Sequence, residues 1–273
     1  MWVPDIITLY LNVVLIDLAL ALILFIFWKS HKTYFGYISW MVSLPVFVGT
    51  YSLFLFRGII PDLVSIVIAN TTLIVAYILR NDSIWKFFEN KGFDRRLNSF
   101  LVICSFIFLF YFTYIDNVII ARTLFISVMI SICGIIGCIP LIKKKNNENR
   151  LLRLCFVVLL IGLSVVYGIH AIDWIFSPGS QSLFEPNIIL LIFYLYIILM
   201  DIFTTGLFIM LNMSRYQSEL KISNEKITKS DEELRIQYDK LVKSEEKLRE
   251  SEEKYRNVVT WANDGIILIQ GGV

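Results

Sequence analysis

Seven long apolar stretches occupy the first 212 residues, and nearly all the positive charge there falls in alternate gaps between them. The stretches are Ile6–Trp28, Tyr34–Phe56, Leu63–Leu79, Leu97–Ile115, Val118–Ile142, Leu151–Phe176 and Ile188–Leu211. Each is close to the roughly 20 apolar residues a helix needs to cross the hydrocarbon layer. Lipid offers no partner for backbone polar groups, so helices are the economical way across. The third stretch is short, and Pro61 and Asp62 give it a start outside the bilayer core. The chain is therefore expected to be an all-α membrane protein, a seven-transmembrane helix bundle.

The cations orient it. Lys29 and Lys32 lie in the first gap. Arg80, Lys86, Lys91, Arg95 and Arg96 lie in the third, and Lys143, Lys144, Lys145, Arg150 and Arg153 in the fifth. The even gaps hold only Arg57 and Arg122. Positively charged loops stay on the cytoplasmic side, so the expected topology has the N-terminus outside and the C-terminus in the cytoplasm. The expected location is the cell (plasma) membrane, crossed several times. The N-terminal stretch lacks a basic flank and a small-residue cleavage site and is too long for a signal peptide, so it reads as a retained first helix.

Composition breaks near Met213. The 57% hydrophobic content exceeds the roughly 45–50% of a soluble domain, and the excess lies before that point. Residues 213–273 carry 11 Lys/Arg and 12 Asp/Glu, against 14 and 11 in the much longer preceding part. With a net charge of only +2, no nucleic-acid footprint is expected. Residues 1–212 read as the bundle, 213–255 as a cytoplasmic helix, and 256–273 as a third segment.

In the second segment Leu220, Ile227, Leu234, Leu241, Leu248 and Tyr255 recur every seven residues. Ser223, Ser230, Gln237, Ser244 and Ser251 hold the second seam position. One apolar and one small polar seam position make a marginally stable coiled coil. A parallel homodimer through residues 216–255 is expected; a solitary charged spacer is the alternative.

Ionisable groups within spans are costly and are functional candidates by default. Asp17 lies midway along the first span, Asn70 midway along the third, and Asp201 with Thr204 and Thr205 midway along the seventh. Arg57, Asp62, Asp116, Arg122, His170, Asp173 and Glu185 lie nearer the outer face. One reading is an outward-opening ligand pocket closed by Arg57 and Arg122, with Asp17, Asn70 and Asp201 at its floor. The other is that Asp17, Asn70 and Asp201 are hydrogen-bonding glue between helices, while Arg57 and Arg122 pair with Asp62 and Asp116. His170 and Asp173 share a helical face, and one histidine with one aspartate makes a poor metal site. Ser127, Ser131, Gly134 and Cys138 form a small-residue stripe for close helix packing, and Pro45 is expected to kink the second span.

The run Ser251-Glu-Glu-Lys-Tyr-Arg-Asn-Val-Val-Thr-Trp-Ala-Asn-Asp-Gly-Ile-Ile-Leu-Ile-Gln270 resembles the opening of a PAS domain: a lead helix, an Ala-Asn-Asp-Gly turn and a first strand. Asn263-Asp264-Gly265 is a turn signal and Ile266-Ile267 favours a strand. The resemblance covers about 20 residues, and the chain stops before such a domain would be complete. The run from Arg57 through Pro61-Asp62 to Ala69-Asn70, and Phe112-Thr113-Tyr114 with Arg122, are similar to seven-helix input regions that precede histidine-kinase or diguanylate-cyclase outputs in prokaryotes. Together they resemble the N-terminal seven-transmembrane sensor region of a prokaryotic, specifically archaeal, PAS-containing signal-transduction protein such as a sensor histidine kinase. That resemblance implies a receptor region acting on a downstream signalling domain or response regulator. The chain itself carries no kinase signature and no HExxH or GxSxG motif, so no catalytic domain is expected.

The seven helices and Asp201 are also similar to microbial rhodopsins, whose retinal is held by a lysine four residues after such an aspartate. Thr205 stands there, and no span contains a lysine. Schiff-base chemistry needs an amine, so covalent retinal is not expected. A b-type haem would need a histidine facing His170, and His31, the only other one, lies toward the opposite face. No cofactor is expected. A rhodopsin-like protein without retinal, or a transporter or channel, remains the alternative to a receptor.

Overall fold

The computed structural model describes residues 6–143, 149–176 and 188–270. Among them all regular structure is helical: α1 Ile6–Ser30, α2 Tyr37–Leu55, α3 Ala69–Glu89, α4 Arg95–Tyr114, α5 Ile119–Lys143, α6 Arg150–Phe176 and α7 Ile188–Gln270. A π-helical segment, Leu63–Ile68, leads directly into α3. It starts on the Pro61 carbonyl, which accepts from the Val64 and Ser65 amides at 2.9 and 3.1 Å. Seven helices are thus long and apolar enough to cross a membrane, and the all-α seven-helix architecture stands. The chain divides between Tyr216 and Gln217, within a turn of the composition break.

Residues 1–216 form the bundle. α3 is its most enclosed helix, packed against α2, α4 and α5. Its length departs from the sequence reading. The third span does not end at Leu79 but runs to Glu89, where Asn90 adopts a left-handed cap at φ 54°. Arg80 is therefore a mid-helix residue of the interior, 6% exposed, and not a loop cation. The outward surface carries Phe100, Ile107, Val158 and Ile161, an apolar rim that a soluble monomer would not leave uncovered.

Small residues set the close approaches. Ser131 and Ser164 donate reciprocally to each other's carbonyls across α5 and α6, at 3.1 and 3.0 Å. A Cβ on Gly134 would lie 2.9 Å from the Leu160 carbonyl oxygen. The stripe anticipated on α5 is thus the seat of α6. Gly36, before α2, has φ 102° and its carbonyl accepts from the Ser83 hydroxyl at 2.8 Å. That positive φ suits glycine and lets loop one rest on α3. An aromatic layer fills the centre, with Trp40 stacked on Phe208 at 4.6 Å and Phe87 edge-on to Phe208.

Residues 217–262 are helical, with the heptad residues Leu220, Ile227, Leu234, Leu241, Leu248 and Tyr255 all exposed. The helix continues to Gln270, so the turn expected at Asn263–Gly265 and the strand after it are absent. A lone strand leaves both rows of backbone groups unpaired, whereas a helix satisfies them within itself.

Candidate functional site

Two polar places in the interior both border α7. The deeper one joins α1, α2, α3 and α7. Leu73, Tyr77, Arg80, Ile84 and Phe87 recur on one face of α3, all buried, and that face presents the Arg80 guanidinium to α7. Arg80 donates to Asp201 in a buried ion pair. Its guanidinium carbon lies 4.3 Å from the Phe47 ring centroid and 5.3 Å from that of Trp40, so two rings of α2 cover the cation. Asp17 of α1 is wholly buried and interacts electrostatically with both Asp201 and Arg80. Among the described residues neither of its carboxyl oxygens meets a partner in ordinary hydrogen-bond geometry, and the one group close enough to share a proton with it is the Asp201 carboxyl. Two carboxyl groups thus attend one guanidinium, and Asp17 is the spare. One turn on, Thr205 accepts from the Trp40 indole at 3.3 Å.

The second place is a cavity of about 100 Å³ at the end of the bundle where α1 and α7 begin. Arg57, Asn70, Arg122 and His170 all line it. Tyrosines from four helices stand around them: Tyr10, Tyr51, Tyr167 and Tyr194. The Tyr194 hydroxyl donates to that of Tyr10. His170 stacks on Phe193 at 4.3 Å. Its Nε2 accepts from the Trp174 indole at 3.3 Å. Indole N–H only donates, so the neutral ring carries its proton on Nδ1, 3.4 Å from the Ser127 hydroxyl. Arg57 is half-buried in the loop after α2, and burial pushes its pKa below the usual arginine value.

The structure therefore separates residues that the sequence reading placed in one pocket. Asn70, Arg57, Arg122 and His170 come together. Asp17, Asp201 and Thr205 do not line the cavity. Ile197 is the last cavity residue of α7, and Asp201 lies one turn beyond it. The alternative of interhelical glue is also altered, because Asn70 donates to Ile66 of its own helical run at 2.7 Å. Arg122 donates to Thr113 at 3.1 Å. Neither arginine forms an ion pair with Asp62 or Asp116; Asp62 acts on both at longer range. Asp173 is within electrostatic reach of His170 but outside the cavity lining. Glu185 lies outside the described residues.

The participant missed from sequence was Arg80. Continuing the α3 period past Leu79 places it between Tyr77 and Ile84 on the core face, and that periodicity was the available signal. Comparisons with protein-family models, curated proteins and solved structures return no match.

Proposed function

We propose that the bundle is the membrane-embedded input region of a signal-transduction protein. In this reading it sits in the cell membrane with its N-terminus outside, and α7 carries its state to a cytoplasmic PAS domain and a histidine-kinase-type output. One observation carries the reading: α7 borders both the cavity and the Arg80 cluster and then continues as a heptad-patterned helix. Phe193, Tyr194 and Ile197 line the cavity, Asp201 pairs with Arg80, Thr205 meets Trp40 and Phe208 stacks on it. At the bundle's edge Arg215 lies over Tyr34 at 4.5 Å and donates to the Phe87 carbonyl at 3.3 Å. A shift of α7 cannot occur without altering these contacts. A stimulus that binds one arrangement better than another by about 1.4 kcal/mol changes the balance tenfold.

The exposed stripe Leu220, Ile227, Leu234, Leu241 and Leu248 supports pairing with a second copy, in parallel because both copies leave the same membrane face. The test is disulfide cross-linking in membranes, with the four native cysteines replaced. Leu234→Cys and Leu241→Cys should each give covalent dimers, and Glu232→Cys, off the seam, should not. Failure at both seam positions, or equal cross-linking at all three, would remove the dimeric helix from the reading.

A further inference from the structure

We infer that the cavity at the α1/α7-starting end of the bundle binds a small organic anion, a carboxylate or phosphate monoester on a compact apolar body, through Arg57 and Arg122. This gives the receptor reading its ligand class and rests on that reading for its consequence in signalling.

Donor capacity is the first argument. A guanidinium carries five N–H groups. Arg122, 6% exposed, commits one nitrogen to Thr113. The half-buried Arg57 side chain makes no hydrogen bond and no ion pair among the described residues. In the Tyr10–Tyr194 pair one hydroxyl accepts from the other, leaving the acceptor's own proton for a third partner. Both tyrosines interact electrostatically with Arg57. Donors from α1, α5 and the loop after α2 thus converge with capacity unspent.

Charge is the second argument. Among the described residues no carboxylate lines the cavity. Among the described residues the one acid acting on both arginines is Asp62, and the charge of Arg57 also acts on Arg122. Two guanidinium groups against one carboxylate give the described residues a net positive charge in a site walled by Phe54, Ile66, Phe193 and Ile197. Holding unpaired charge in such surroundings is costly, and an anion that forks across a guanidinium offsets that cost with strong paired hydrogen bonds. The companion cluster, where Arg80 has two carboxyl groups beside it, shows the same bundle supplying counter-ions where no ligand is needed.

Size is the third. A cavity of roughly 150 Å³ accommodates benzene; the space here is smaller, about 100 Å³, and partly open, so it encloses a short acyl chain outright and a single-ring acid only with part of the molecule in the opening. The apolar walls take the body and the arginines take the head.

The test uses the full chain in phosphatidylcholine nanodiscs, titrated with benzoate, phenyl phosphate and the neutral benzyl alcohol, and read by saturation-transfer NMR and thermal stability. Benzoate or phenyl phosphate should bind at least tenfold more tightly than benzyl alcohol. Arg57→Gln should weaken the anions at least tenfold and leave the alcohol unchanged, while Arg57→Lys keeps the anion preference. Loss of benzoate binding in nanodiscs containing phosphatidic acid would identify a lipid headgroup, itself a phosphate monoester, as a source of the same anion; no loss would point to a free acid. Benzyl alcohol binding as tightly as the acids overturns the inference. So does a helical, folded Arg57→Gln variant with unchanged benzoate affinity. If anions bind but the cross-linking pattern of residues 217–255 never responds, the site stands and the receptor reading fails. If no anion binds while the seam cross-links as expected, the site fails and the receptor reading stands.

Discussion

Asp201→Asn, Asp17→Asn and the double variant form a cycle whose outcome follows from the buried cluster. Asp201 is the acceptor of the Arg80 guanidinium, and Asp17 is a buried carboxyl that makes no bond to that guanidinium and faces Asp201. Breaking a buried pair by removing one partner costs about 3–5 kcal/mol, because a charge is left uncompensated. Asp17→Asn keeps an N–H donor where the Asp17 carboxyl faces Asp201 and leaves the Arg80–Asp201 pair in place, so its cost should be under about 1 kcal/mol. Asp201→Asn strips Arg80 of its bonded partner, but Asp17 stands beside it and can take over; about 1–2 kcal/mol is expected. The double variant leaves the guanidinium with no counter-ion and should cost the full 3–5 kcal/mol. The coupling, about 2 kcal/mol, lies well outside the scatter of independent sites. Reversible unfolding of the purified chain in mixed micelles, titrated with dodecyl sulfate and followed by helicity, measures all four corners. Additivity within about 0.5 kcal/mol would refute the reserve role of Asp17, as would an Asp17→Asn cost equal to that of Asp201→Asn.

Gly36→Ala places a side chain at φ 102° and directly against the Ser83 carbonyl. A destabilisation of at least about 2 kcal/mol is expected in the same unfolding assay; a change below about 0.5 kcal/mol would deny the close approach of loop one to α3. Gly137→Val drives its Cβ to within 2.7 Å of the Asn81 amide oxygen, whose side chain donates to the Cys133 carbonyl at 2.9 Å. A cost of about 1–3 kcal/mol is expected, whereas Gly168→Val, with no atom near its added Cβ, should be much milder. Ser214→Pro removes a helix hydrogen bond near the bundle's edge at about 3 kcal/mol and loses the bond from Ser214 to Asn149, 2.8 Å long. Cross-linking of the tail should then cease to respond to any ligand, and an unchanged response would exclude a continuous helix as the coupling element.

The spans were legible because lipid imposes a length and composition rule that each segment must satisfy locally. The one substantial error has the same origin. Arg80 ended the third span in the sequence reading because a guanidinium is costly in hydrocarbon, and what offsets that cost, Asp201 and the rings of Trp40 and Phe47, lies on other helices. That Arg57, Arg122 and His170 lie toward one end was readable from their distance to span ends, whereas Asn70, midway along its span by sequence, was grouped with Asp17 and Asp201. The exclusion of Asp17 and Asp201 from the cavity was not readable, because one turn along α7 decides it. At the other end, Asn263–Gly265 signals a turn only where a following strand has a sheet to join.

The central claim is that residues 1–216 cross a bilayer seven times and release α7 on the side of the basic loops. Labelling with a membrane-impermeant thiol reagent, in a chain whose four native cysteines are replaced, tests it directly. Ile59→Cys, at an exposed position of the loop after α2, should react in intact cells. Ser230→Cys, on the exposed tail, should react only after the membrane is opened. Reaction of Ser230→Cys in intact cells, or of both positions alike in sealed vesicles, would contradict the claim.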